Sequence, residues 1–150
     1  MIAPLAGVVI GSAGSLGAQY LWARASRAQA RVERQATLRA ERKDAVREFL
    51  DVAQSVERIA HHNFSGKRDS DAGTTMHRLW YLQKCIDIVG SVELRGATFE
   101  YAQRLSDAVW KQHPADTQTP VDVRLQRFIG DHRHRFLQAA RLELDIPELE

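Results

Sequence analysis

The chain has 150 residues, of which 27% are charged, with a formal net charge of +2 and a single cysteine. That length holds one domain of ordinary size beside a tether, and no internal repeat or low-complexity tract argues for a solenoid or a disordered chain. The lone Cys85 excludes an intrachain disulfide and fits a reducing compartment.

Ile2 to Trp22 run for twenty-one positions without a charged side chain. As a helix this stretch is about 31 Å long at ~1.5 Å per residue, which matches the hydrocarbon thickness of a bilayer. A transmembrane helix is therefore predicted over residues 1–23. Gly7, Gly11, Ser12, Gly14, Ser15, Gly17 and Gln19 dilute its apolar character, while Tyr20 and Trp22 sit where an interfacial aromatic belt would lie. A cleaved signal peptide is the rival reading, but no basic residue precedes the apolar run and no small-x-small cleavage site follows it. Ala3, Gly7, Gly11 and Ser15 recur every four residues, a ridge of small side chains along which a second membrane helix can approach closely, so a homodimer through this face is an expectation.

Val8-Val9-Ile10 followed by Gly11-Ser-Ala-Gly14-Ser-Leu-Gly17 also resembles the strand and glycine turn of an extended short-chain dehydrogenase, whose following helix receives a pyrophosphate. That fingerprint requires a second strand with an acidic residue about 20 positions further on. The corresponding region, Ala30 to Asp44, is an Arg/Glu/Ala-rich run without strand alternation, so dinucleotide binding is not expected and no cofactor is assigned.

Residues 24–43 carry seven Lys/Arg against two acids, a net of +5, whereas the rest of the chain carries 14 basic and 17 acidic residues, a net of −3. The positive charge is confined to one segment. Arg24, Arg27, Arg31 and Arg34 would contact anionic lipid headgroups, each gaining about 1 kcal/mol near such a surface. Residues 24–43 hold no aromatic side chain for base stacking, which argues against a nucleic-acid partner. Because Lys and Arg beside a span stay on the cytoplasmic side, the N-terminus is expected outside the cell membrane and the remainder in the cytoplasm.

From Arg24 to Asn63 no proline or glycine intervenes, and one helix is predicted, with a basic juxtamembrane part over residues 24–45. A coiled-coil seam through Gln35, Arg39 and Arg42 is polar and poorly suited to a long stalk. From Val46 an apolar stripe of Val46, Phe49, Leu50, Val52, Ala53, Val56, Ile59 and Ala60 marks the start of a core. After the polar loop Ser65 to Gly73, Thr74 or Thr75 can cap a second helix to about Val89, burying Met76, Leu79, Trp80, Leu82, Ile86 and Val89. Ser91 can cap a third helix to about Gln112, with Tyr101, Ala102, Leu105, Ala108 and Val109 inside. A linker from His113 to Pro120 leads to a fourth helix, Val121 to about Leu144, which carries Val121, Leu125, Phe128, Ile129, His132, Phe136, Ala139, Ala140 and Leu142. Residues 46–150 are therefore expected to form a small antiparallel helical bundle, making the chain all-α.

The uncharged N-terminal helix, the Arg/Glu run Val32-Glu-Arg-Gln-Ala-Thr-Leu-Arg-Ala-Glu-Arg-Lys-Asp-Ala-Val-Arg-Glu-Phe-Leu50 and the compact helices after it resemble small membrane-anchored proteins of actinobacterial type. The resemblance implies a fold and an address, and no reaction.

His61 and His62 near the end of one helix, with His132 and His134 on another, are the candidate metal ligands. Bundle metal sites use Glu-x-x-His at i, i+3, and that spacing is missing, so no metal site is assigned. His61 and His62 suit a helix C-terminus, and His132 is expected to be a hydrogen-bonded core residue. Cys85 reads as a structural thiol, Trp80 and Tyr81 as core, and no nucleophile is paired with a base. The expected role is that of a single-pass membrane protein whose bundle contacts an unidentified protein partner as anchor, adaptor or regulator. The alternatives are a metal-dependent enzyme built in the bundle and a phage-type or toxin-like membrane-active protein.

Overall fold

A computed structural model describes residues 5–67, 69–113 and 118–144; side chains are described from residue 29 onward, residue 32 apart. The described residues are all helical, without strands, in the order α1 (Leu5–Phe64), α2 (Ala72–Val89), α3 (Val92–Trp110) and α4 (Val121–Glu143). The chain divides into two compact units, Met1–Leu38 and Arg39–Glu150.

Residues 5–23 and residues 24–45 lie on the same helix, and the strand required by a dehydrogenase-like glycine turn is absent there. The expectation of a membrane-spanning helix finds no support: among the described residues no helix is long and apolar enough to cross a membrane. The physical reason is visible in the sequence, where four glycines, two serines and Gln19 between Leu5 and Trp22 lower the mean apolarity of the run.

In the second unit, the core follows the helical stripes. Val46, Phe49, Val52, Ala53, Val56, Ile59 and Ala60 of α1 are buried, as expected, with Leu50 at the margin. Phe49, Tyr101 and Phe136 bring α1, α3 and α4 together, with ring centroids 6.1 Å (Phe49 to Tyr101), 5.1 Å (Phe49 to Phe136) and 5.7 Å (Tyr101 to Phe136) apart. Phe49 meets Tyr101 edge-on and Phe136 at a tilt, where positive ring edges meet negative faces and add to area burial, while Tyr101 and Phe136 stack. α2 packs on α3, and α3 on α4.

The helix ends show why the chain turns where it does. At the end of α1, Gly66 takes φ of 76°, Lys67 N donates to His62 O (2.9 Å) and Gly66 N to Asn63 O (3.0 Å), the reciprocal pair of a left-handed C-terminal cap. Only glycine holds that backbone angle without steric cost. Asn63 Nδ2 reaches across the bundle to Ala108 O (2.9 Å) and Lys111 O (3.1 Å), satisfying orphan carbonyls at the end of α3. Ser91 caps α3 as expected, its hydroxyl accepting from Leu94 N (3.3 Å). α2 differs from expectation: it starts at Ala72 after Asp71, and Thr75 does not cap it but returns its hydroxyl to Asp71 O (3.1 Å). α4 differs at its end, where Leu142, read as core, is 79% exposed because the apolar face runs through Leu125, Ile129, Phe136 and Ala140.

Candidate functional site

Helical geometry over α1 places positions 24, 27, 31 and 34 on one face, because steps of three and four residues stay close to whole turns of 3.6. Arg31 and Arg34 are exposed, as is every described residue from Gln29 to Glu41. For Arg24 and Arg27 the helical backbone alone is described. Of the small-residue ridge, Ala3 lies outside the described residues, and Gly7, Gly11 and Ser15 occupy helical positions whose surroundings are not described. The four positions follow one another along about 15 Å of helix axis.

The histidines do not converge. Among the described residues no group of three or more His, Cys, Asp or Glu side chains is placed to hold a metal ion. His61 Nε2 lies 3.2 Å from Asp122 Oδ1 at the start of α4, and His62 Nδ1 lies 3.4 Å from Asp69 Oδ2 in the following loop. His134 is exposed. His132, expected to be hydrogen-bonded, is half-buried, and its Nδ1 has no hydrogen-bond partner, the nearest carboxylate being Glu100 at 3.7 Å. The cause is register: Glu100 on α3 also faces Arg135 at 3.6 Å and stands out toward solvent.

A cleft of about 440 Å³ opens beside His61 and His62, lined also by Ser55, Arg58, Asp69 and Thr75. Its polar atoms are engaged locally: Arg58 donates to the Ser55 hydroxyl (3.2 Å), and Asp69 Oδ1 accepts from Asp71 N (3.0 Å). These contacts shape the loop after α1 and do not aim at a common point.

Deeper in the bundle, Tyr101 donates its hydroxyl to Glu57, whose other oxygen lies 3.5 Å from Arg133 Nη1. Burial, then the hydrogen bond and negative charge of Glu57, push the Tyr101 phenol far above its ordinary value, against a smaller opposing effect of Arg133. A phenol held neutral in this way is a donor that joins three helices, not an activated base. Another polar group sits in the interior: Gln83 is 1% exposed, donates from Nε2 to Asp87 (2.7 Å), and leaves its Oε1 without a partner.

Sequence reading misplaced Tyr81, which is 65% exposed, and did not single out Phe99, which is 48% exposed. Spacing would have found them. On α2, Met76, Gln83 and Ile86 face inward, so Tyr81, Lys84 and Ile88 fall on the outer side. Cys85 is half-buried at the edge of that side.

The chain matches no family model, and neither curated proteins nor solved structures contain a match to it.

Proposed function

We propose that the chain is held at the cell membrane by its N-terminal segment and acts there without catalysis, as an anchor, adaptor or regulator that contacts a protein partner through its helical bundle. In this reading residues 1–23 engage the bilayer, Arg24, Arg27, Arg31 and Arg34 meet anionic headgroups, and the rest of the chain faces the cytoplasm. The carrying observation is the concentration of net charge +5 within residues 24–43, directly after a run that has no charge at all. The exposure of Arg31 and Arg34 supports it, because a headgroup contact requires side chains that no other part of the protein occupies.

Magnitudes favour a shared attachment. Glycines and Gln19 reduce the apolar contribution of residues 5–22, so the basic residues supply a substantial part of the affinity, at about 1 kcal/mol each close to the surface. A polar, arginine-bearing helix without aromatic side chains suits phosphate headgroups better than nucleobases, which need stacking surfaces.

The test is co-sedimentation of the full chain with vesicles containing about one third anionic lipid, beside fractionation of expressing cells. The full chain should sediment with membranes, and the fourfold Arg→Glu variant at positions 24, 27, 31 and 34 should lose binding by about a hundredfold or more. Recovery of the full chain in the soluble fraction without detergent, or activity of a C-terminal reporter outside the cell, would overturn the reading.

A further inference from the structure

α3 is patterned on two sides. Its inner face, from Leu94 through Tyr101 and Leu105 to Val109, fills the core. On the opposite side Val92, Gly96, Phe99, Gln103, Ser106 and Trp110 follow one another at steps of four, three, four, three and four, the seam of a heptad repeat. All of them are exposed except Ser106, which is half-buried. Val92 is 68% exposed and Trp110 60%, and Ile88, just before the break between α2 and α3, is 83% exposed. Trp80 of α2 braces the Phe99 ring at 6.0 Å and still leaves it half open.

Gly96 adds an independent observation. It lies in mid-helix without a positive φ, and a methyl group at its Cα would meet nothing within 4 Å. Neither backbone conformation nor packing within the described chain calls for glycine there, although alanine would favour the helix. A residue without a side chain, set in a seam between Val92 and Phe99, lets a second backbone approach closely.

The flanking charges select the occupant. Arg95 stands on one side of the seam, and Glu93 and Glu100 on the other. Arg95 is exposed and has no side-chain partner among the described residues, Glu93 is exposed, and Glu100 is held only by long pairs to Arg135 (3.6 Å) and His132 (3.7 Å). A parallel second copy of α3 brings Arg95 of each copy to Glu100 of the other, as flanking charges do in parallel coiled coils; an antiparallel copy would set acid against acid. Gln103 is a polar residue in the seam, a device that fixes register. The area also suffices. Ile88, Val92, Phe99 and Trp110 leave on the order of 400–500 Å² of apolar surface open. A stable interface covers roughly 800 Å² per partner, a little over half of it apolar.

We propose that two copies of the chain pair in parallel through the outer face of α3, about a two-fold axis that runs along the helix past Gly96. Val92, Phe99 and Trp110 of each copy then pack on their counterparts, and Arg95 meets Glu100 across the seam. The pairing depends neither on membrane attachment nor on the small-residue ridge near the N-terminus.

The test is sedimentation equilibrium of the full chain in a density-matched detergent. The chain should be dimeric at tens of micromolar. Val92→Glu places an acid in the first turn of α3, where the helix tolerates it, and should weaken pairing at least about tenfold with unchanged helical circular dichroism. Gly96→Ala should weaken pairing too, although it favours the helix. With Cys85→Ser, Gln103→Cys should form a disulfide-linked dimer on mild oxidation, because a parallel seam sets position 103 against itself; antiparallel copies crossing at Gly96 would hold these positions about 20 Å apart. A monomer at that concentration, a dimer that survives Val92→Glu, or a failure of Gln103→Cys to cross-link would each overturn the proposal. A dimer lost in Gly11→Leu and kept in Val92→Glu would overturn it in favour of the N-terminal ridge.

Discussion

α1 contains two stretches of similar length that differ in what holds them helical. From Gln29 to Glu41 every described side chain is exposed, while from Val46 to Ala60 seven apolar residues are buried against the other helices. The first stretch relies on propensity: Ala, Arg, Gln and Glu lose little side-chain freedom in a helix, and local pairs such as Gln29 to Glu33 (3.3 Å) add a few tenths of a kcal/mol. The second relies on burial, worth about 25 cal/mol per Å² of apolar surface. One helix is thus open to solvent along one length and a wall of the core along another, and substitutions should divide accordingly.

The contrast is broken most severely at Phe49, which is fully buried and touches both Tyr101 and Phe136. Phe49→Ala should destabilise by about 3–5 kcal/mol in urea unfolding, whereas Leu38→Ala, on the exposed stretch, should change stability by less than about 0.5 kcal/mol. Equal effects would mean that the exposed stretch packs on something in solution.

A smaller loss is expected at Glu57. Glu57→Ala removes the acceptor of the buried Tyr101 hydroxyl and should cost about 1–3 kcal/mol. The same pair carries a pH signature. The Tyr101 pKa is raised in the folded state, so its contribution is complete below the ordinary phenol value of 10.0 and declines as pH rises above it, when the unfolded chain alone can ionise. The melting temperature should fall more steeply above pH 10 in the wild type than in Tyr101→Phe.

Next comes Asn63, whose amide serves two carbonyls of α3; Asn63→Ala should lose about 1–2 kcal/mol, with the last turn of α3 exchanging its amide protons fastest. The smallest effect is expected at Gln83. Gln83→Met removes a buried oxygen that lacks a partner together with the amide donor to Asp87, which keeps Lys84, so the two changes oppose each other and stability should move by less than about 1 kcal/mol, read as a shift of the urea midpoint at constant slope.

Periodicity made most of the fold legible. The stripes from Val46 to Ala60 and from Tyr101 to Val109, the cap at Ser91 and the start of α4 follow from spacing and local hydrogen bonding, which act within one turn of helix. What was not legible depended on partners distant in the chain. Gln83 is buried, Leu142 is exposed and His132 misses its hydrogen bond because of how α2, α3 and α4 are placed against one another, which residue types alone do not encode. The basic face of α1 was readable as a pattern of positions, and its arginines at 31 and 34 are open to solvent. The outer face of α2 and α3 went unread because Tyr81 and Phe99 have the character of core residues.

The side chain of Asn63 has a mechanical consequence. Its backbone belongs to the terminal loop closure at Gly66, while its amide grips the final carbonyls of a helix 45 residues further along. Fraying at either terminus therefore tugs on the other, so the ends of α1 and α3 should open together, like a clasped hinge.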